Sequence, residues 1–204
     1  MKKDTIQVPA SKATAERLKH AALTIFTEFG YEGTSMSDIA KAVQIKTPSI
    51  YAHFKSKEQL FLELCADVIA EEGMKFEELM QQSQGRPVLE RLREVYDFFT
   101  DFPHLTVGQW FLKRMMLMPP KHLQQQFRVD FLEHEQRVDA IVGALFLEGQ
   151  QAGIFPQRDV ENMIAVFYTL LDGLLVANQI YEQSVFSSHK QTVWEMLEKD
   201  WTTA

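Results

Sequence analysis

The stretch SMSDIAKAVQIKTPSIYAHFKSK, residues 35–57, leaves the chain few choices. Met36, Ile39, Ala40 and Val43 recur at i, i+3, i+4 and i+7, the spacing of one apolar helix face. Ser35 precedes them as an N-cap, with Asp38 at capping-box spacing. A second short helix is predicted from Thr47. Thr47 can cap it, and Pro48 suits the first helical position, where an amide hydrogen would have no partner. Ile50 and Phe54 point inward at i, i+4, and Ile45 plugs the corner.

Two such helices are too short to bury a core, and the chain supplies a third just upstream. Leu18, Ala21, Ala22, Ile25, Phe26 and Phe29 form one apolar stripe, with Gly30 as C-cap. Three short helices ending in a helix–turn–helix make a module whose last helix docks in the major groove of DNA.

Several further residues sit in fixed order with these: Ile25-Phe26, Phe29-Gly30-Tyr31, Thr34-Ser35, Asp38-Ile39-Ala40, Tyr51-Ala52-His53-Phe54, Lys57 and Leu60. In this the segment resembles the DNA-binding domain of the TetR/AcrR family of bacterial repressors. The resemblance covers residues 14–62, about a quarter of the 204 residues. Gln44 stands at the corner where the family usually has Gly. Gln carries a steric cost at positive φ, so a corner of altered geometry is expected.

The net charge of −7 looks wrong for a DNA binder until it is divided. Residues 1–57 carry nine Lys/Arg against five Asp/Glu, a net +4, and the remainder twelve against 23, a net −11. A basic head on an acidic body suits docking head-first on a polyanion. The single Cys65 excludes a disulfide within the chain and fits a reducing cytoplasm. No apolar run approaches 18 residues, so no transmembrane helix and no membrane partner are expected. MKKDTIQVPASK has no apolar h-region and does not read as a secretory signal. Residues 1–12 read as a polar arm carrying Lys2, Lys3 and Lys12.

Beyond the head, Ser56 caps a long helix to about Gln82, and Gly85-Arg86-Pro87 breaks the chain. Further helices are predicted over about 88–100, 105–116, 121–152, 160–181 and 188–201, with short coil between them and no convincing strand. The fold class is therefore all-α, with about nine helices: an N-terminal three-helix helix–turn–helix domain, residues 1–55, and a larger C-terminal helical bundle, residues 56–204. The 160–181 helix is apolar on two faces, so both must be covered. Val166, Leu170, Gly173 and Ala177 form the face rich in small residues, and the last helix adds Val193, Trp194, Leu197 and Trp201. The resemblance implies a homodimer through these two helices.

On the reading surface, Ile50 and Phe54 are committed to the core, leaving Lys46, Thr47, Pro48, Ser49, Ala52 and His53 outward. The resemblance implies phosphate contacts from Tyr51 and His53 and base-edge contacts from Thr47 and Ser49. It implies that Ser35, Ser37, Lys55 and Lys57 hold the DNA backbone. The surface contains no Arg or Asn, and no Gln unless Gln44 reaches in, so strong bidentate partners for guanine and adenine are missing. Phosphate contact and duplex shape are expected to carry much of the affinity, with Lys46 the best candidate for a guanine.

The body's excess of aromatics and methionines, with Phe 15 and Met 9 in the whole chain, suggests an apolar pocket for a small hydrophobic effector. Phe98, Phe99, Trp110, Phe111, Met115 and Met116 are its first material. Phe127, Phe131, Phe167 and Tyr168 complete it. Ordinary core packing explains any one of them better than ligand contact does. Neither a nucleophile elbow, a phosphate-binding Gly loop nor a Glu-x-x-His pair is present, so no enzyme, cofactor or metal is expected. His122, His134 and His189 read as surface residues. Together these features imply a cytoplasmic, dimeric repressor of a near-palindromic operator, released by a small ligand that acts through the long helix from Ser56. An effector-free DNA-organising protein and a helical enzyme with a vestigial head are the alternatives.

Overall fold

A computed structural model describes residues 10–203, so Lys2 and Lys3 lie outside the described residues. Among the described residues there are nine α-helices, one 3-10 turn at Phe102–His104 and no strand. The helices are α1 (Ala10–Phe29), α2 (Met36–Ala42), α3 (Thr47–Ile50), α4 (Lys57–Gln82), α5 (Val88–Thr100), α6 (Val107–Leu117), α7 (Gln124–Gln151), α8 (Val160–Ile180) and α9 (Gln183–Thr202). Two compact units share them. Unit 1 comprises Met1–Ala70 with Thr106–Phe131, and unit 2 comprises Glu71–Leu105 with Leu132–Ala204. Both α4 and α7 contribute to each unit, and the expected boundary at residues 55 and 56 falls inside unit 1.

In unit 1 the stripe of α1 buries Leu18, Ala22 and Phe26 against Ile39, Ala40, Ile50 and Phe54 of the two short helices. The first half of α4 adds Leu60, Phe61, Leu64, Cys65 and Val68, and α6 adds Phe111, Leu112 and Met115. Phe29 departs from the predicted stripe: it is 56% exposed. The helix ends there, Gly30 turns left-handed at φ +74, and Tyr31 enters the core instead, 4.9 Å from the Phe61 ring and edge-on to it. Burial pushes the Cys65 thiol up to about 12, so it remains a packed, protonated side chain.

In unit 2 the inner faces of α5, α7, α8 and α9 meet around aromatic rings. Trp201 lies 5.0 Å from Phe146, 5.9 Å from Phe167 and 5.9 Å from Trp194. Tyr96 of α5 donates its hydroxyl to the Lys190 carbonyl at 2.5 Å, and the Arg93 guanidinium covers the Trp194 ring at 5.0 Å. Phe155 folds back onto α7 at Gly149, where any Cβ would come within 2.1 Å of its ring. His134 is not at the surface as expected. It is 5% exposed, with Nε2 3.9 Å from a carboxylate oxygen of the equally buried Glu72. Among the described residues only α8 is long and apolar enough on average to match a membrane span, and Glu161, Asn162 and Asp172 interrupt its apolar run, as expected. Its mean hydropathy is 1.6.

Candidate nucleic-acid interface

The cap of α2 forms as its sequence requires. Ser35 Oγ accepts from the Asp38 amide at 3.2 Å, and Asp38 Oδ2 accepts from the Ser35 amide at 3.2 Å and from its hydroxyl at 2.5 Å. The Ser35 hydroxyl, with help from Lys41, holds the Asp38 carboxyl below its ordinary range. Ser35 is exposed, but its hydroxyl is occupied by the cap.

At the corner Gln44 adopts φ +61, the left-handed conformation that glycine adopts freely. The backbone turn closes normally, with Ile45 N donating to Ala40 O at 3.0 Å and Gln44 N to Lys41 O at 3.0 Å. Arg17 of α1 braces it, donating from Nη2 to the Val43 carbonyl at 2.9 Å. Gln44 thus takes the left-handed geometry at the steric cost expected of a residue with a Cβ.

The third helix is short. Lys46, not Thr47, is its N-cap, so Thr47 and Pro48 open the helix, and residues 51–53 continue as a turn. Ile50 and Phe54 are buried and anchor it. Lys46, Pro48, Ser49, Tyr51, Ala52 and Lys55 are exposed, and Thr47, His53 and Ser37 are half-buried. The Thr47 hydroxyl lies 3.4 Å from Ser37 Oγ, a long bond joining the third helix to the start of α2. The ridge from Lys46 to Ala52 therefore stands outward from a buried base.

Lys57 is the clear correction on this surface. Its ammonium donates inward, to Tyr31 O at 2.8 Å and Thr34 O at 2.9 Å, and lies 4.1 Å from the Tyr31 ring centroid. Neither carbonyl lies in a helix, and Tyr31 O otherwise takes only a long 3.3 Å bond from the Thr34 amide, so the charge is spent on the turn before Ser35 instead of reaching outward. Ser56 caps α4 as predicted, accepting from Gln59 N at 3.0 Å. The sequence reading missed Arg17 and Arg114, whose carbonyl partners lie 26 and 87 residues away.

The residues proposed for a pocket divide between the units. In unit 1 Phe111, Met115 and Phe127 are buried in the core, with Met116 and Phe131 packed against it, and Trp110 is half-buried. In unit 2 Phe98 and Phe99 pack edge to face at 5.0 Å, and Tyr168 lies between Phe99 and Phe167, at 6.1 and 5.6 Å. Burial raises the Tyr168 phenol, and the Asp139 and Glu135 carboxylates add to it. Tyr168 and Asp139 face each other, though Tyr168 Oη and Asp139 Oδ1 fall short of full hydrogen-bond geometry.

The expected interface residues separate as well. Val166 is 54% exposed, Gly173 is open with nothing near its Cβ position, and Leu170, Ala177 and Val193 are half-buried. Trp194, Leu197 and Trp201 do not belong with them. They are at most 5% exposed, because α9 turns that face onto α5, α7 and α8 of the same chain. Met196, also on the last helix, is exposed, as are Val176 and Ile180 of α8, which the sequence reading did not single out.

Residues 18–64 match the family model described as "Bacterial regulatory proteins, tetR family". A 40-residue stretch is 52% identical to the HTH-type negative transcriptional regulator IcaR of the biofilm operon icaADBC, from Staphylococcus aureus strain Newman. That alignment covers 20% of this chain, and the chain spans only 22% of the relative's length. Likeness of fold extends over nearly the whole chain. A putative transcriptional regulator from Saccharomonospora viridis, solved in complex with choline, superposes with a TM-score of 0.76 at 18% identity, covering 95% of this chain and 100% of that one. The regulator FadR from Bacillus subtilis, solved in complex with stearoyl-CoA, gives 0.68 at 21% identity, covering 91% and 98%.

Proposed function

The chain belongs to the TetR family of bacterial regulatory proteins, and from that we propose that it is a dimeric transcriptional repressor released from DNA by a small, largely apolar ligand. The observation that carries the reading is the ridge Lys46–Ala52, standing outward on a buried Ile50 and Phe54 in a head of net positive charge. Pro48, Ser49, Thr47 and Lys46 meet base edges, while Tyr51, His53, Lys55 and the first turn of α2 at Ser37 meet phosphates. Lys57 is left out of that set because its ammonium is bound inside the head. With no Arg and few amides on the ridge, the backbone and the shape of the duplex carry most of the affinity.

A second copy covers the open face of α8. Val166, Gly173, Val176 and Ile180 leave an apolar stripe in water, and a two-fold partner buries such a stripe against itself. Two heads then take successive half-sites of a near-palindromic operator. The ligand site falls in unit 2, around the half-buried Phe98, Phe99 and Tyr168, since Phe167 and most of the unit 1 candidates are absorbed in packing. The ligands in the S. viridis and B. subtilis structures, choline and stearoyl-CoA, show how different the occupants of this fold are. Release requires that the ligand bind one conformation better than the other, and α4, which belongs to both units, carries the change.

The test is a titration of the purified protein against the DNA upstream of its own gene and against a mixed-sequence duplex, at two salt concentrations. The reading expects preference for the upstream duplex, a steep fall with salt and two chains per site. Equal affinity for both duplexes, or no binding to either, overturns it.

A further inference from the structure

α1 has no basic residue in its last turn, so its final carbonyls find no cation within their own helix. One comes from α6. Arg114 donates from Nη1 to the Thr27 carbonyl at 3.1 Å. Its other arm occupies the place where a side chain on residue 30 would begin: a Cβ there would lie 2.9 Å from Nη2. Gly30 therefore meets two demands at once, a left-handed φ of +74 and room for a guanidinium. The turn that starts at Gly30 runs to Ser35, the cap of α2. Thr34 ties it back, donating to Gly30 O at 2.7 Å, and Lys57 grips it through the Tyr31 and Thr34 carbonyls. α2 leads directly to the corner and the ridge.

We propose that Arg114 is a positioning residue for DNA binding: it fixes the end of α1 and the turn to Ser35, and so sets the aim of the ridge. This rests on the DNA-binding reading above. The guanidinium is half-buried and bonded inside the head, so it acts through backbone geometry and not as a phosphate contact. Base contacts tolerate little misplacement, whereas phosphate contacts, set by charge, tolerate more. A mis-aimed ridge loses its chosen sequence before it loses DNA as such.

The experiment first selects a preferred duplex from a random pool with the wild-type protein. It then compares Arg114→Met and Arg114→Lys on that duplex and on a mixed-sequence duplex, across salt, with a melting curve for each variant. Arg114→Met is expected to weaken the selected duplex roughly tenfold, the loss of one charged hydrogen bond. It should leave the mixed duplex within about twofold and the salt slope unchanged. Arg114→Lys keeps a donor for Thr27 O but not the arm over Gly30, so it should fall between and guards against a variant that fails to fold. Equal loss on both duplexes, a salt slope reduced by about one, or unchanged selected binding in both variants overturns the proposal. A wild-type protein that selects no duplex sinks the DNA-binding reading itself, a different failure.

Discussion

The two units use charge in opposite ways. In unit 1 cations turn inward onto backbone carbonyls: Arg17 onto Val43, Lys57 onto Tyr31 and Thr34, Arg114 onto Thr27. Unit 2 instead keeps half-buried carboxylates. Glu135 and Asp139 of α7 are both raised, chiefly by burial and, for Glu135, also by Asp139 and Asp172. The carbonyls held in unit 1, at Thr27, Tyr31, Thr34 and Val43, lie at helix ends or in turns, where the helical ladder stops and side chains hold them. The body's helices run 13 to 28 residues, close most of their own hydrogen bonds, and draw their stability from ring against ring.

The largest test of that contrast lies in unit 2. Trp201→Ala removes a ring packed on Phe146, Phe167 and Trp194 and is expected to cost about 3–5 kcal/mol in chemical denaturation. Val166→Glu, on the open face of α8, should change protomer stability by no more than about 0.5 kcal/mol while abolishing self-association in sedimentation. Were Trp201→Ala to weaken association and leave stability alone, Trp201 would belong to the interface after all.

Next comes Lys57→Met against Lys55→Met. Lys57 makes two charge-assisted bonds and a cation–π contact, so its loss should destabilise the head by about 1.5–3 kcal/mol. Lys55 is exposed, and its replacement should lower DNA affinity and the salt slope without lowering the melting temperature. The reverse pattern would return Lys57 to the phosphate-contacting set.

These cases also mark how far the sequence could be read. Helices, caps and the outward ridge follow from local spacing: Ser35 with Asp38, Ile50 with Phe54, and the apolar stripe of Leu18, Ala22 and Phe26. Distant partners leave no such trace. A lysine seven residues beyond the reading helix, at the start of α4, looks like a phosphate contact until its ammonium is found on carbonyls 23 and 26 residues back. A terminal Trp on an amphipathic helix has the same periodicity whether it packs on its own protomer or on another. Phe29 shows the limit of periodicity itself, since the helix ends under it and Tyr31 takes its place.

A smaller effect is expected at the corner. Gln44 holds φ +61 at a cost that glycine does not bear. Gln44→Gly relieves that strain but loosens the unfolded chain, leaving a net gain of about 0.5–1 kcal/mol. Equal stability would mean that the bracing bond from Arg17 to Val43 already offsets the strain, a head built to tolerate its own corner.

The smallest effect separates two carboxylates of unit 2 by the sign of their pH dependence. Burial raises Asp139, so over the pH range just above the usual carboxylate value the native state holds more protons than the unfolded chain. Its contribution is present at low pH and falls away as pH rises through the raised value. Asp97 runs the other way. Burial would raise it, but Lys190 and Arg93 outweigh burial and hold it down, so its contribution is present above the usual value and vanishes as pH falls. Urea unfolding of Asp139→Asn between about pH 3 and pH 6 should show an advantage over wild type that grows with pH, and Asp97→Asn a deficit that grows with pH. If the two variants tracked each other, the half-buried acids of α7 would be compensated as fully as Asp97, and the contrast between a carbonyl-bound head and an acid-bearing body would fail at its most sensitive point.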